Sequence, residues 1–150
     1  MGSLEDLDKA FAALEKQFPE ARRELVEDVG VIMYERVMRN IDAETKEQSG
    51  RLREACHLVI GSGGGYAAVR NDNKKAPHAQ LVEFGHRLIK GAKTKEGKYG
   101  QRVNIKGSGK LIGWVNGKHM YRNALNEVEE EIVHKAGDMV DKGSGNRRRT

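Results

Sequence analysis

The stretch His57-Leu58-Val59-Ile60-Gly61-Ser62-Gly63-Gly64-Gly65-Tyr66-Ala67-Ala68-Val69 decides the class of fold. Two short apolar runs that lean towards β structure flank a glycine-rich connection, which reads as an antiparallel hairpin. The chain on both sides of it reads as helix. From Glu20 to Asn40, and on to Ile41, a stripe of Leu25, Val29, Ile32, Met33, Val37 and Ile41 recurs at helical spacing. Glu20 and Glu24 stand near its start, where the helix dipole favours acids. Upstream, Leu4, Leu7, Phe11, Leu14 and Phe18 form a second stripe, with Ser3 and Asp6 as a capping pair. Pro19 ends that helix or opens the next. Far downstream, His119 to Lys142 is a third long helix, with Met120, Ala124, Val128, Ile132, Ala136 and Met139 on one face.

The segments between carry weaker signals. Residues 42–50 are polar and read as a loop, and residues 51–60 lead into the first strand of the hairpin. Asn71 to Lys75 is a turn. Pro77 opens a short helical stretch in which Ala79, Val82 and Phe84 line one side, and Gly85 stops it. Residues 86–100 show no period and many lysines and glycines, which reads as a long loop. Residues 101–105 and 111–115 read as two strands around Lys106-Gly107-Ser108-Gly109-Lys110, and Asn116-Gly117 as a turn. Gly143 ends the last helix, leaving 143–150 as a flexible basic tail. The expected architecture is α+β: one domain over 1–142 with a basic loop at 86–100. A small antiparallel sheet drawn from residues 51–116 is flanked by two N-terminal helices and one C-terminal helix, in two layers.

Composition narrows the classes of function. The chain has 150 residues and 16.7 kDa, enough for one core of ordinary size. It has no apolar run near the roughly 18 residues that a membrane helix needs. The N-terminus lacks the basic and apolar regions of a secretory signal, and Asp6 stands where a myristoylation signal needs Ser or Thr. A single cysteine, Cys56, excludes an internal disulfide framework and a cysteine-based zinc site. An intracellular origin is the expectation.

The charge is unevenly spread. Residues 1–56 hold 9 basic and 13 acidic side chains, net −4, and residues 119–142 hold 3 and 6, net −3. Between them, residues 86–118 hold 9 basic side chains against Glu96 alone, net +8. A segment of that kind meets phosphates or an acidic protein face, or is a solvated loop.

Catalytic and ligand-binding patterns are missing. Gly61 to Gly65 is followed by Tyr66, not by the Gly-Lys-Ser/Thr of a phosphate loop, and Gly113 to Lys118 is one residue short of that motif. His57, His78, His86, His119 and His134 form no zinc-protease pair. Cys56-His57 is a sequence neighbour pair, not a dyad, and Cys56 reads as a small buried residue. Glu129, Glu130 and Glu131 read as a solvated helix face. Trp114 and Tyr121 are too few to build a base-stacking platform in a chain that is 5% aromatic. We expect no enzyme activity, no cofactor and no metal.

Three short stretches, in order, carry a resemblance. They are Ser49-Gly50-Arg51-Leu52 after the long helix, Ala79-Gln80-Leu81-Val82-Glu83-Phe84-Gly85-His86, and His119-Met120-Tyr121-Arg122-Asn123-Ala124-Leu125 at the start of the last helix. The set resembles the tailed-phage family of tail components typified by the gene-ten product of a lambdoid phage. That family shows a Thr-Gly-x-Leu step, a Tyr-Ala-x-x-Val-Glu-Phe-Gly-Thr step and a Pro-Ala-Leu step. Gly50, Leu52, Val82, Glu83, Phe84, Gly85, Ala124 and Leu125 carry the match. His78, His86 and Asn123 depart from it, standing for the Tyr, the Thr and the Pro, and the Pro usual before Thr-Gly is missing.

The resemblance implies a non-enzymatic virion protein with a tail-terminator-like fold. It implies a ring, commonly of six copies, at the head–tail or tail-completion junction. Its partners would be other copies of itself, the adjacent head-connector and tail-terminator or tail-tube proteins, and passing DNA, with no membrane involved. It would reside in the virion neck or tail, and in host cytoplasm during assembly. Arg87, Lys90, Lys93, Lys95, Lys98, Lys106 and Lys110 are the candidate partner- or DNA-facing cations. For Glu83 a structural hydrogen bond or an inter-subunit salt bridge is expected. The alternative from another class is a small basic nucleic-acid-binding protein using the same cations.

Overall fold

A computed structural model describes residues 4–17, 19–45 and 50–143 of the chain. The expectations placed on Ser3, Phe18, residues 46–49 and residues 144–150 lie outside these, as do those on the side chains of Phe11 and Leu14. Helices α1 (Leu4–Gln17) and α2 (Pro19–Glu44) come first, and Pro19 opens α2. A short α3 (Arg51–Ala55) leads directly into β1 (Cys56–Ile60), which pairs with β2 (Ala67–Asn71). Then follow α4 (Ala79–Phe84), β3 (Gly85–Lys90), β4 (Thr94–Glu96), β5 (Arg102–Asn104) and β6 (Lys110–Asn116). Helix α5 (Met120–Gly143) completes the described chain. The class is α+β with antiparallel pairing, as the sequence indicates.

Helix α2 is the centre of the body. One side packs on α5 and α1, the other on the β1–β2 hairpin. Leu25, Val37 and Ile41 of the sequence stripe are fully buried. Burying a side chain of that size contributes about 1.5–3 kcal/mol. Val26 and Gly30 are buried as well, on the side that meets the hairpin. A Cβ on Gly30 would lie 2.7 Å from the Ala67 Cβ and 3.1 Å from Leu58 Cδ1, so the hairpin rests directly on the helix backbone there. Two apolar clusters result. Val37, Ile41, Leu52, Ala55, Cys56, Ala76, Ala79, Met120 and Ala124 form one. Leu7, Leu25, Val128, Ile132 and Ala136 form the other. Asp28–Lys135 at 2.8 Å and Arg36–Glu127 at 3.4 Å link α2 to α5 at the surface. Exposed pairs of this kind contribute about 1 kcal/mol or less.

Three expectations are corrected. Residues 86–100 are not a loop: most of β3 and all of β4 lie there. The strands at 102–104 and 110–116 do not pair with each other; β5 pairs with β4 and β6 with β3. The β structure is therefore three separate two-stranded ribbons, not one sheet. Phe84 does not line the buried side of α4 and is 63% exposed, while Ala79 is buried and Val82 half-buried.

Candidate functional site

The β3–β6 ribbon and the β4–β5 hairpin are joined end to end into one arm over residues 85–116. Ile105 N donates to Lys93 O, and Ser108 Oγ accepts from Lys93 N and donates to Ile105 O, so the two ladders are stitched where they meet. Gly109 lets the returning strand pass: a Cβ there would lie 2.7 Å from Ile89 and 2.8 Å from the Ala92 nitrogen. The arm packs on itself and on α4.

The root of the arm is held tightly. Gly85 ends α4 at φ 81° and ψ 176°, a backbone region open essentially to glycine alone. A Cβ there would lie 2.3 Å from the Val115 carbonyl oxygen. Across from it, a Cβ on Gly117 would lie 2.2 Å from the Glu83 carbonyl oxygen. Lys118 N donates to Val82 O and His119 N to Glu83 O, at 2.8 and 3.1 Å. His119 sits at φ 52°, which turns the chain sharply into α5.

Glu83 completes this junction. Its side chain is buried, and its two carboxylate oxygens accept from Tyr121 N and Arg122 N, each at 3.2 Å. These are orphan donors of the first turn of α5, at the positive end of the helix dipole. The expected structural hydrogen bond is thus a helix cap supplied from a distant element. Tyr121 is half-buried nearby. Burial raises the pKa of its hydroxyl, and the adjacent Cys56 and Glu83 add to the rise. Burial also pushes the Cys56 thiol up, against a smaller lowering effect of Tyr121.

The structure sorts the sequence candidates into two groups. Arg87, Lys90, Lys93, Lys95, Lys98, Lys106 and Lys110 are all exposed and all on the arm, with Lys98 Nζ 5.6 Å above the Tyr99 ring. The motif residues lie in the body and at the arm root. Gly50 takes φ 65° at the start of α3, and Leu52 and Ala124 are buried in one core cluster with Val82 packed against it. Leu125 is 40% exposed and lines a recess between α5, α1, α2 and the hairpin, with Leu4, Val29 and Ala68.

Sequence reasoning missed the apolar content of the arm. Every residue of β6 is exposed, including Leu111, Ile112, Trp114 and Val115. Paired residues share a face. One face carries Arg87 with Trp114 and Ile89 with Leu111; the other carries His86 with Val115 and Lys90 with Lys110, next to Leu88. Ile112 is the extra residue of a bulge. Both faces are therefore apolar and cationic together. The available signal was the run Leu111-Ile112-Gly113-Trp114-Val115, since a strand without alternation is usually covered on both faces. Arg102, on β5 opposite Glu96, also belongs with the arm cations.

Among the described residues no three His, Cys, Asp or Glu side chains stand close enough to hold a metal ion. No helix there is long and apolar enough to cross a membrane. No protein-family model, curated protein or solved structure matches the chain.

Proposed function

We propose that this chain is a structural, ring-forming subunit of the neck of a tailed phage, acting at the head–tail or tail-completion junction without enzyme activity. The observation that carries the self-assembling part of this reading is β6, a seven-residue strand exposed throughout and rich in large apolar groups. A two-stranded ribbon is marginal alone in water, and contiguous exposed apolar surface marks an interaction site. An arm of this kind is stable when another surface covers it. The phage assignment rests on the ordered motifs around Gly50-Leu52, Val82-Gly85 and Ala124-Leu125. In that setting the partners are further copies of the chain, connector and tail-terminator or tail-tube proteins, and DNA in transit.

A second reading has its own observation: eight exposed cations on one arm suit a phosphate backbone. The interleaved Leu111, Ile112 and Trp114 suit a protein surface better, because backbone binding needs no aliphatic faces. Light scattering on the purified protein over a range of concentrations separates the two. The ring reading expects a closed oligomer near six copies. A chain that stays monomeric at every concentration and binds duplex DNA tightly at moderate salt overturns it.

A further inference from the structure

The ring reading leaves open what the arm docks on. A groove of about 790 Å³ runs between α1 and α5. Its apolar lining is Ala10, Val133, Val140 and the exposed backbone of Gly137. Among the described residues its acidic lining is Asp6, Glu130, Asp138 and Asp141, with Lys9 paired to Asp6 at 3.9 Å and His134 to Asp138 at 3.3 Å, so the acids outnumber the cations. An apolar trough with acidic borders fits an element that is apolar and cationic together. The arm of this same chain is such an element: Trp114 and Leu111 share one face with Arg87, and Leu88 and Val115 share the other with Lys90 and Lys110.

We infer that the α1–α5 groove of one copy receives the β3–β6 arm of a second copy, resting on the ring reading given above. Three observations support a second copy as the occupant. The charges are complementary, with residues 86–118 at net +8 and residues 119–142 at net −3. Among the described residues, none of the arm lines the groove of its own chain. And α5 separates the two surfaces: the arm joins before Met120, whereas the groove starts at Glu130, about 15 Å further along the helix. Each copy thus offers a donor at one end of α5 and an acceptor along the other. That is a heterologous contact, the kind that closes into rings when the rotation between copies allows. The same acidic borders repel a nucleic-acid backbone, so the groove selects a basic protein element.

Charge reversal tests this in the full chain, with assembly read by light scattering and sedimentation. Glu130→Lys with Asp138→Lys reverses the groove, and Arg87→Glu with Lys110→Glu reverses the arm. All four side chains are exposed, so the fold is expected to survive, and circular dichroism checks it. Each double variant is expected to weaken self-association about tenfold or more, and the chain carrying all four changes to regain it. Gly137→Trp fills the groove without touching charge. No atom lies within 4 Å of a Cβ placed there, so the helix accepts it, and assembly should fall as with charge reversal. An oligomer that forms normally in the groove variants overturns the docking site and leaves the ring reading standing. A wild-type chain that stays monomeric at every concentration overturns the docking site, and one that also binds duplex DNA tightly at moderate salt overturns the ring reading with it.

Discussion

Glu83 is a buried acid, and the reason lies in the element it serves. Helix α5 starts from His119 at positive φ, and no side chain of its own caps the first turn among the contacts the structure gives. Replacing Glu83 with Ala removes both acceptors and leaves Tyr121 N and Arg122 N unpaired at the edge of the core. The expected loss is about 1–3 kcal/mol, read as a lower urea midpoint. Glu83→Gln keeps one acceptor oxygen and should lose less. Tyr121 and Cys56 give the same junction a pH dependence. Burial raises both pKa values in the folded chain, so the neutral forms are favoured there. The unfolded chain releases these protons at ordinary values, 9.0 for the thiol and 10.0 for the phenol. Stability from these groups is therefore fully present below about pH 9 and falls as pH rises beyond it. Urea midpoints at about pH 8 and about pH 10.5 should show the fall, and Tyr121→Phe should make it shallower.

The arm is the element whose behaviour differs from the rest. Its strands pair in twos, and among the described residues its main packing partner outside the arm is α4. Backbone hydrogen bonds there are protected only by local pairing, while those of α2 and α5 sit over buried side chains. Hydrogen exchange measured on dilute monomer should show amides of residues 94–104 exchanging fastest and those of α5 near Val128 slowest. On the ring reading, the amides of β3 and β6 should become protected as concentration rises. Equal exchange rates in both states would mean that the arm is not covered on assembly. The charged tip, with Lys95, Lys98 and Arg102 around a single Glu96, also discourages uncontrolled edge-to-edge pairing of the open strands.

At the scale of the whole molecule, the protein divides into an acidic helical body with a small hairpin and a basic arm with apolar faces. The two are joined through a few residues: Val82 to Gly85 on the way out, Asn116 to His119 on the way back. Carbonyl and amide groups from both passes bond to one another there, and the glycines admit no side chain. A rigid root matters for a ring, because small angular errors at each contact prevent closure. The motif residues Val82, Glu83 and Gly85 therefore serve geometry: they fix the direction in which the arm leaves the body.

The sequence by itself determined the elements that bury one face. Stripes at helical spacing marked α5 and the side of α2 that faces it, though not the second side of α2, where Val26 and Gly30 meet the hairpin, and the glycine run marked the β1–β2 hairpin. It also marked the cations of the arm and the Gly85 stop, because charge and positive φ are properties of single residues. Only the tertiary structure decided that 86–100 contains strands. The arm buries neither face in the monomer, so its sequence shows no period to read. Nor did local pattern reveal that β3 pairs with β6, some twenty residues away, when β5 was nearer. Glu83 as a helix cap was equally hidden, since its partners lie 38 and 39 positions further on. Long-range pairing depends on which surfaces meet in space, and that is set by the fold as a whole.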